Sequence, residues 1–186
     1  VDPLDGTKEF IEGIPEWGIS VALVVKGRPV CGGVCNPQAD QLFLGGKDLG
    51  VTLNGKPASV SEQSELHGAR ILVSRSEIKK GLWKAFEQAP FEIVFTGSIA
   101  YKLACVAAGL ADAAVSLAPK NEWDVAGGWA LAEAAGGRVG INGDCGHVFN
   151  RADLLPKGII IRVYGELVVR HSAAQPSGTD YKGTDM

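Results

Sequence analysis

The apolar positions follow two different rhythms along the chain, and the change falls near residue 60. Over the first part they alternate or form short runs, as β-strands do. Trp17 to Lys26 (WGISVALVVK) predicts a buried strand, and Gly27-Arg28-Pro29 turns it so that Val30 to Asn36 runs back as its partner. Gln41 to Leu44 predicts another strand. Gly50 to Ser59 predicts a hairpin with Asn54-Gly55 at its turn, since that dipeptide readily adopts the positive φ of tight hairpin turns. Ahead of these, Thr7 to Glu12 (TKEFIE) predicts a short helix stopped by Gly13 and the Ile14-Pro15 step. The expected product is an antiparallel meander.

After residue 60 strand and helix patterns alternate. Strands are expected at Arg70 to Ser74, Phe91 to Phe95, Ala111 to Leu117, Arg138 to Ile141 and Gly158 to Val163. Helices are expected over Lys79 to Gln88, over Ser98 to Ala108 with Ser98 as N-cap, and over Asp124 to Ala135 with Gly136-Gly137 stopping it. The pattern predicts a layered α/β unit. An antiparallel part (1–65), an α/β part (66–165) and a polar extension with a disordered tail (166–186) would form one continuous globular unit.

Composition changes this picture little. The 186 residues are 46% hydrophobic and 21% charged, which is globular composition, and can supply a sizeable core. A net charge of −3 with no basic block gives no reason to expect a nucleic-acid polymer as partner. No apolar run approaches the ~20 residues that cross a bilayer. Cys31, Cys35, Cys105 and Cys145 form no CxxC pair, and His67, His147 and His171 have no ligand-like spacing to them, so zinc is not indicated. Free thiols fit a reducing cytoplasm.

The chemistry concentrates in Val1-Asp2-Pro3-Leu4-Asp5-Gly6-Thr7. Two carboxylates flank a stiff proline, and the Leu4 carbonyl lies between them, which suits a hard cation. Gly6 lets the backbone approach a bound group, and the Gly6 and Thr7 amides open a helix, which suits a phosphate. The same residues also read as an Asx-turn with Asp5 capping the helix. Glu122-Trp123-Asp124-Val125-Ala126-Gly127-Gly128 offers a third carboxylate, Asp124, for a two-metal phosphoryl site, or a plain N-cap beside a buried Trp123. Thr96-Gly97-Ser98 with Lys102 one turn on, and Ser74-Arg75-Ser76, could contact a substrate hydroxyl or phosphate. A capped helix with a solvated Lys102 and a solvated loop are the alternatives.

These motifs together resemble the Mg²⁺- and Li⁺-responsive phosphomonoesterases that include inositol monophosphatase, fructose-1,6-bisphosphatase and the 3′(2′),5′-bisphosphate nucleotidases. Asp2 to Thr7 matches DPxDGT, and Trp123 to Gly127 followed by Glu133 to Gly137 matches WDxAxG…EAGG. Gly97-Ser98 and Leu53 to Pro57 fit as well. The resemblance covers about residues 1 to 163. Thr7-Lys8-Glu9-Phe10, Val73 to Ser76 and Lys102 look like the bisphosphate nucleotidase (CysQ-like) branch, although Glu77 stands where that branch often has His.

The resemblance implies a layered α-β-α-β-α sandwich lacking its N-terminal helices. It implies Mg²⁺ as cofactor, with two or three ions and Li⁺ inhibition, a small phosphorylated substrate, and a homodimer. Asp2 would bridge two ions, the Leu4 carbonyl would complete one site, and Asp5 and Asp124 would hold the other. Thr7 and Asp5 would serve catalysis, the Gly6 and Thr7 amides would bind phosphate, and Gly97, Ser98, Lys102 and Arg75 would bind substrate. Adenosine 3′,5′-bisphosphate is the expected substrate, with inositol-1-phosphate and a non-catalytic binding role as alternatives. The family places a Glu-Glu segment and a helical Asp ahead of DPxDGT, so a chain opening at Val1 is expected to be N-terminally truncated and weakly active or inactive. A lost general base costs about 10²- to 10⁴-fold.

Overall fold

In a computed structural model, the structure describes residues 1–141, 147–150 and 161–164, with 141 and 161–164 as backbone alone. Among the described residues the strands form two sheets. Strands β1 (Asp2–Asp5), β2 (Gly18–Val25), β3 (Arg28–Asn36), β4 (Gln41–Gly46), β5 (Gly50–Leu53) and β6 (Lys56–Ala58) make a six-stranded antiparallel meander in chain order. Strands β7 (Arg70–Val73), β8 (Glu92–Phe95), β9 (Ala113–Ser116), β10 (Arg138–Ile141) and β11 (Ile161–Tyr164) make a mixed sheet in the order β10-β11-β9-β7-β8. In it β7 runs parallel to β8 and β9, and the other pairs are antiparallel.

Helices α3 (Ile99–Ala107) and α4 (Glu122–Ala134) fill the space between the sheets. Strand β2 alternates accordingly: Ser20 is buried against α4, whereas Ile19, Val21, Leu23 and Val25 face outward. Phe43 and Trp129 are each at most 1% exposed, and Leu103 and Leu131 join them in one core. Burying a side chain of this kind contributes about 1.5–3 kcal/mol. A smaller cluster of Ile71, Val73 and Trp83 packs the other face of the second sheet, under α2 (Arg75–Lys79) and a 3₁₀ turn at Lys84–Phe86. The layer order is therefore sheet, helices, sheet, helix, which matches the expected sandwich apart from its first helical layer.

Helix α4 sits unusually close to its neighbours because its second turn carries glycines. A Cβ at Gly127 would stand 2.5 Å from Ser20 Oγ and 3.0 Å from the Val21 carbonyl. A Cβ at Gly128 would stand 2.8 Å from Leu103 Cδ1 on α3. The glycines of WDVAGG thus bring the start of α4, and Asp124 with it, down onto β2 beside β1.

Four expectations need correction. The strand expected to be buried over Trp17 to Lys26 buries one face only, because α4 covers just that side and Ile19, Val21, Leu23 and Val25 face outward. The helix expected over Lys79 to Gln88 is broken, because Gly81 takes a φ of +72° and ends α2. Helix α4 starts at Glu122 with Asn121 as N-cap, so Asp124 stands at the third helical position. Trp123 is 52% exposed, and Trp129 is the tryptophan of α4 that is buried, edge-on to Phe149 at 5.2 Å. Cys145, the start of the strand expected at Gly158 and the tail from Gln175 to Met186 lie outside the described residues.

The close approach of α4 yields a stability prediction. Gly127→Ala gains up to about 1 kcal/mol of helix propensity but forces an overlap with the Ser20 hydroxyl, and overpacking of this kind costs about 1–3 kcal/mol. Urea denaturation is expected to show a net loss of stability.

Candidate active site

Asp5 is the point at which the two halves of the molecule meet. Its Oδ2 accepts from the Ser98 hydroxyl at 2.6 Å and from the Ala100 amide at 2.7 Å, both in the first turn of α3. Both bonds land on one oxygen, Oδ2. Asp5 therefore does not cap the helix that follows it. That helix, α1 (Thr7–Ile11), begins at Gly6, whose φ of +87° only glycine adopts at no cost. A Cβ on Gly6 would also stand 3.0 Å from the Glu16 carbonyl.

The turn around Asp2 is an Asx-turn, with the Leu4 amide donating to Asp2 Oδ1 at 3.1 Å. The Leu4 carbonyl accepts from the Thr7 hydroxyl at 3.1 Å. Asp124 Oδ2 accepts from the Asn121 amide at 2.9 Å and from Asn121 Nδ2 at 3.2 Å. Asp124 is thus not the N-cap but the N3 partner of Asn121 in a capping box, and these bonds fix where its carboxylate points.

The three aspartates share one field. Burial pushes the Asp5 pKa above the ordinary carboxylate value, the Ser98 and Ala100 hydrogen bonds offset part of this, and the Asp2 charge adds to it. Burial likewise raises Asp124, the Asn121 amide lowers it, and the charges of Asp5 and Asp2 raise it further. Like charges gathered without a counter-ion behave in this way. Lys120, half-buried just ahead of α4, is a cation whose charge favours ionised Asp5 and Asp124.

The donor set is hard oxygen throughout, which suits Mg²⁺ better than a softer ion. Among the described residues no three His, Cys, Asp or Glu side chains already converge on one point at ligating geometry. The donors fit the ion in chemistry and in charge, and the side chains remain engaged in turn and cap hydrogen bonds.

The four residues expected to touch substrate are each engaged within the fold. Gly97 is buried, donates its amide to Glu16 Oε2 at 2.7 Å, and has no room for a side chain, since a Cβ would lie 2.7 Å from the Glu16 carbonyl. Ser98 is 6% exposed, caps α3 by accepting from the Tyr101 amide at 3.0 Å, and donates to Asp5. Arg75 forms a bidentate pair with Glu16, Nη2 to Oε1 at 2.8 Å. Lys102 is fully buried, not solvated, and its Nζ donates to Ser74 Oγ at 2.7 Å. These bonds place Gly97 beside Glu16 and Ser98 against Asp5, and tie Arg75 to Glu16 and Lys102 to Ser74.

Glu16 and Lys120 were missed by the motif reading. Neither belongs to a spacing pattern, and only the folded chain brings Glu16 to Gly97 across 81 residues. Glu77, noted as a departure from His, is 1% exposed and accepts from Trp83 Nε1 at 3.0 Å and Ser116 Oγ at 2.8 Å. It is a structural hub behind the second sheet.

Two predictions follow from these charges. Asp124→Asn keeps an acceptor for the Asn121 amide and removes repulsion, so the metal-free variant is expected to melt no lower than wild type, while Mg²⁺ raises only the wild-type Tm. Burial lowers the Lys102 pKa from 10.5 to about 8. The unfolded chain binds this proton more tightly, so stability from this group rises as pH climbs from about 8 towards 10.5. Urea curves at pH 8, 9 and 10 are expected to show a gain, of order 1–3 kcal/mol, that Lys102→Met lacks.

Sequence and structure comparisons agree with this geometry. The profile of the Inositol monophosphatase family matches residues 1–174. Inositol monophosphatase 3 of Solanum lycopersicum is 37% identical over 147 residues, covering 75% of this chain and 55% of the relative. The Nus factor SuhB of Xylella fastidiosa is 34% identical over 146 residues, 75% of this chain and 53% of the relative. The fructose-1,6-bisphosphatase/inositol-1-monophosphatase of Aquifex aeolicus is 34% identical over 145 residues, 74% of this chain and 54% of the relative. The chain thus spans about half the length of these curated relatives. Among solved structures, inositol monophosphatase from Anabaena superposes with a TM-score of 0.73 at 28% identity, covering 88% of this chain and 65% of that one. The extragenic suppressor protein SuhB from Bartonella henselae gives 0.75 at 30% identity, with 89% and 63% covered. Members of the family are phosphoric monoester hydrolases, generally dependent on Mg²⁺. By the profile match, the carboxylate motifs and the fold, the chain belongs to the inositol monophosphatase family.

Proposed function

We propose that this chain carries the hydrolytic centre of a Mg²⁺-dependent phosphomonoesterase. The observation that supports it most is the packing of the start of α4, which carries Asp124, against β1, which carries Asp2 and Asp5. Asp2, Asp5, Asp124 and the Leu4 carbonyl would hold Mg²⁺, which supplies an activated water and neutralises charge on the phosphoryl oxygens. The protein's own part is to position. Ser98 and Ala100 stop Asp5 from rotating, and Asn121 does the same for Asp124. Thr7, exposed with its hydroxyl on the Leu4 carbonyl, stands where it can orient water. The Gly6 and Thr7 amides would receive phosphate oxygens at the turn that Gly6 makes possible. Lys120 adds a positive charge for the anionic ester.

The finer reading is removal of a phosphate from adenosine 3′,5′-bisphosphate. Thr7-Lys8-Glu9-Phe10 supports it, and Lys8 is exposed beside Thr7 to meet a second phosphate. Inositol-1-phosphate is the second reading. It is favoured by the engagement of Arg75 with Glu16 and the burial of Lys102, which leave neither for a second phosphate. Two or three ions, Li⁺ sensitivity and a cytoplasmic setting belong to the same proposal; among the described residues no helix is long and apolar enough to cross a membrane. A homodimer, or a purely self-associating role, draws support from the outward-facing Ile19, Val21, Leu23, Val25, Leu42 and Leu44, each 38–54% exposed on one sheet face.

The test is phosphate release by mass-verified residues 1–186 with Mg²⁺, offering both substrates in parallel. Slow release is expected, with a further loss of about 10²-fold or more in Asp124→Asn, and the preferred substrate decides between the two readings. Folded protein that releases nothing from either substrate, with Mg²⁺ in excess, would contradict the hydrolytic proposal and favour the non-catalytic role.

A further inference from the structure

Glu16 lies outside every motif, yet it touches both turns that build the site. Its backbone carbonyl packs against Gly6 of the DPLDGT turn and against Gly97, close enough that a Cβ on either glycine would stand 3.0 Å or 2.7 Å from it. Its side chain accepts the Gly97 amide on Oε2 and grips the Arg75 guanidinium with both oxygens. The segment that carries it is itself anchored. The fully buried Asn36 donates to the Pro15 carbonyl at 3.0 Å, and Trp17 donates to Gln38 Oε1 at 2.8 Å while its ring meets Phe10 edge-on at 5.0 Å.

What Glu16 holds is a strained piece of backbone. Ser98 has φ 50° and ψ 121°, a combination that an L-residue adopts only when its surroundings enforce it. Three hydrogen bonds do so: Gly97 to Glu16 on one side, and Ser98 and Ala100 to Asp5 on the other. The restraints form a closed ring. From Glu16 it passes to Gly97 and Ser98, then along one turn of α3 to Lys102, across to Ser74, and back through Arg75 to Glu16.

We infer that Glu16 is a positioning residue for the proposed hydrolytic site: its carboxylate fixes the Gly97–Ser98 turn, and that turn fixes the orientation of Asp5. The inference rests on the reading of Asp5 as a metal ligand. Burial works to raise the Glu16 pKa, but the hydrogen bonds from Arg75 and Gly97 and the Arg75 charge outweigh it, so the carboxylate stays ionised and its bonds are the strong, charge-assisted kind. A lone Gly97–Ser98 turn, without Glu16, would relax out of the left-handed region and withdraw both donors from Asp5.

Amide hydrogen exchange and Mn²⁺ binding, the latter by electron paramagnetic resonance, test this on residues 1–186. Glu16→Ala is expected to speed exchange of the Gly97 and Ala100 amides about 10- to 100-fold. It is expected to weaken Mn²⁺ binding about 10-fold, with the Val34 amide in the core of the first sheet unchanged. Glu16→Gln keeps an acceptor for the Gly97 amide and is expected to restore most of both effects. Unchanged Ala100 exchange in Glu16→Ala would overturn the inference, as would equal acceleration at Val34, which would mark a general loss of stability. Should wild-type protein bind no Mn²⁺, the metal-site reading fails, and selective acceleration at Gly97 and Ala100 still supports the link from Glu16 to Asp5.

Discussion

The arrangement depends first on the hydrogen bonds by which Asp5 takes the opening turn of α3. Asp5 lies on an edge strand of one sheet, and α3 runs between that sheet and the other. A carboxylate that satisfies two donors at a helix start is well placed electrostatically, since the helix terminus favours negative charge. One contact therefore joins the DPLDGT strand to the rest of the molecule. The glycines of α4 complete the geometry by removing the side chains that would hold Asp124 away.

Stability and chemistry pull in opposite directions at this place. Burial and mutual repulsion raise Asp5 and Asp124, a cost that a divalent cation bound as proposed would offset. The surrounding structure absorbs that cost through local bonds: an Asx-turn at Asp2, a helix cap at Asp124, and the Glu16–Arg75 pair behind Gly97. These bonds are also why the acids do not yet converge like a finished ligand set.

Much of the fold was legible because it follows from pattern. The apolar run of WGISVALVVK predicts strand β2, though it buries one face rather than both, and Asn54-Gly55 predicts the turn between β5 and β6, as found. Ser98 as the N-cap of α3 follows from the residue type. The failures have physical causes. Edge strand β1 has too few apolar residues to signal itself, and Gly81 breaks a helix that propensity alone would continue. The acids proposed for the site stand out in the sequence by their motifs. The employment of Arg75 and Lys102 was not, because their partners, Glu16 and Ser74, are 59 and 28 residues away. A charged side chain near a motif looks like a substrate contact until the fold supplies its counter-group.

The central claim is that Asp2, Asp5 and Asp124 hold a divalent cation. The most direct measurement is anomalous diffraction from crystals of the protein soaked in Mn²⁺. The account predicts an anomalous peak within about 2.5 Å of carboxylate oxygens of these aspartates, lost in Asp124→Asn. A well-ordered site with no peak there, or with Mn²⁺ bound only elsewhere, would contradict it.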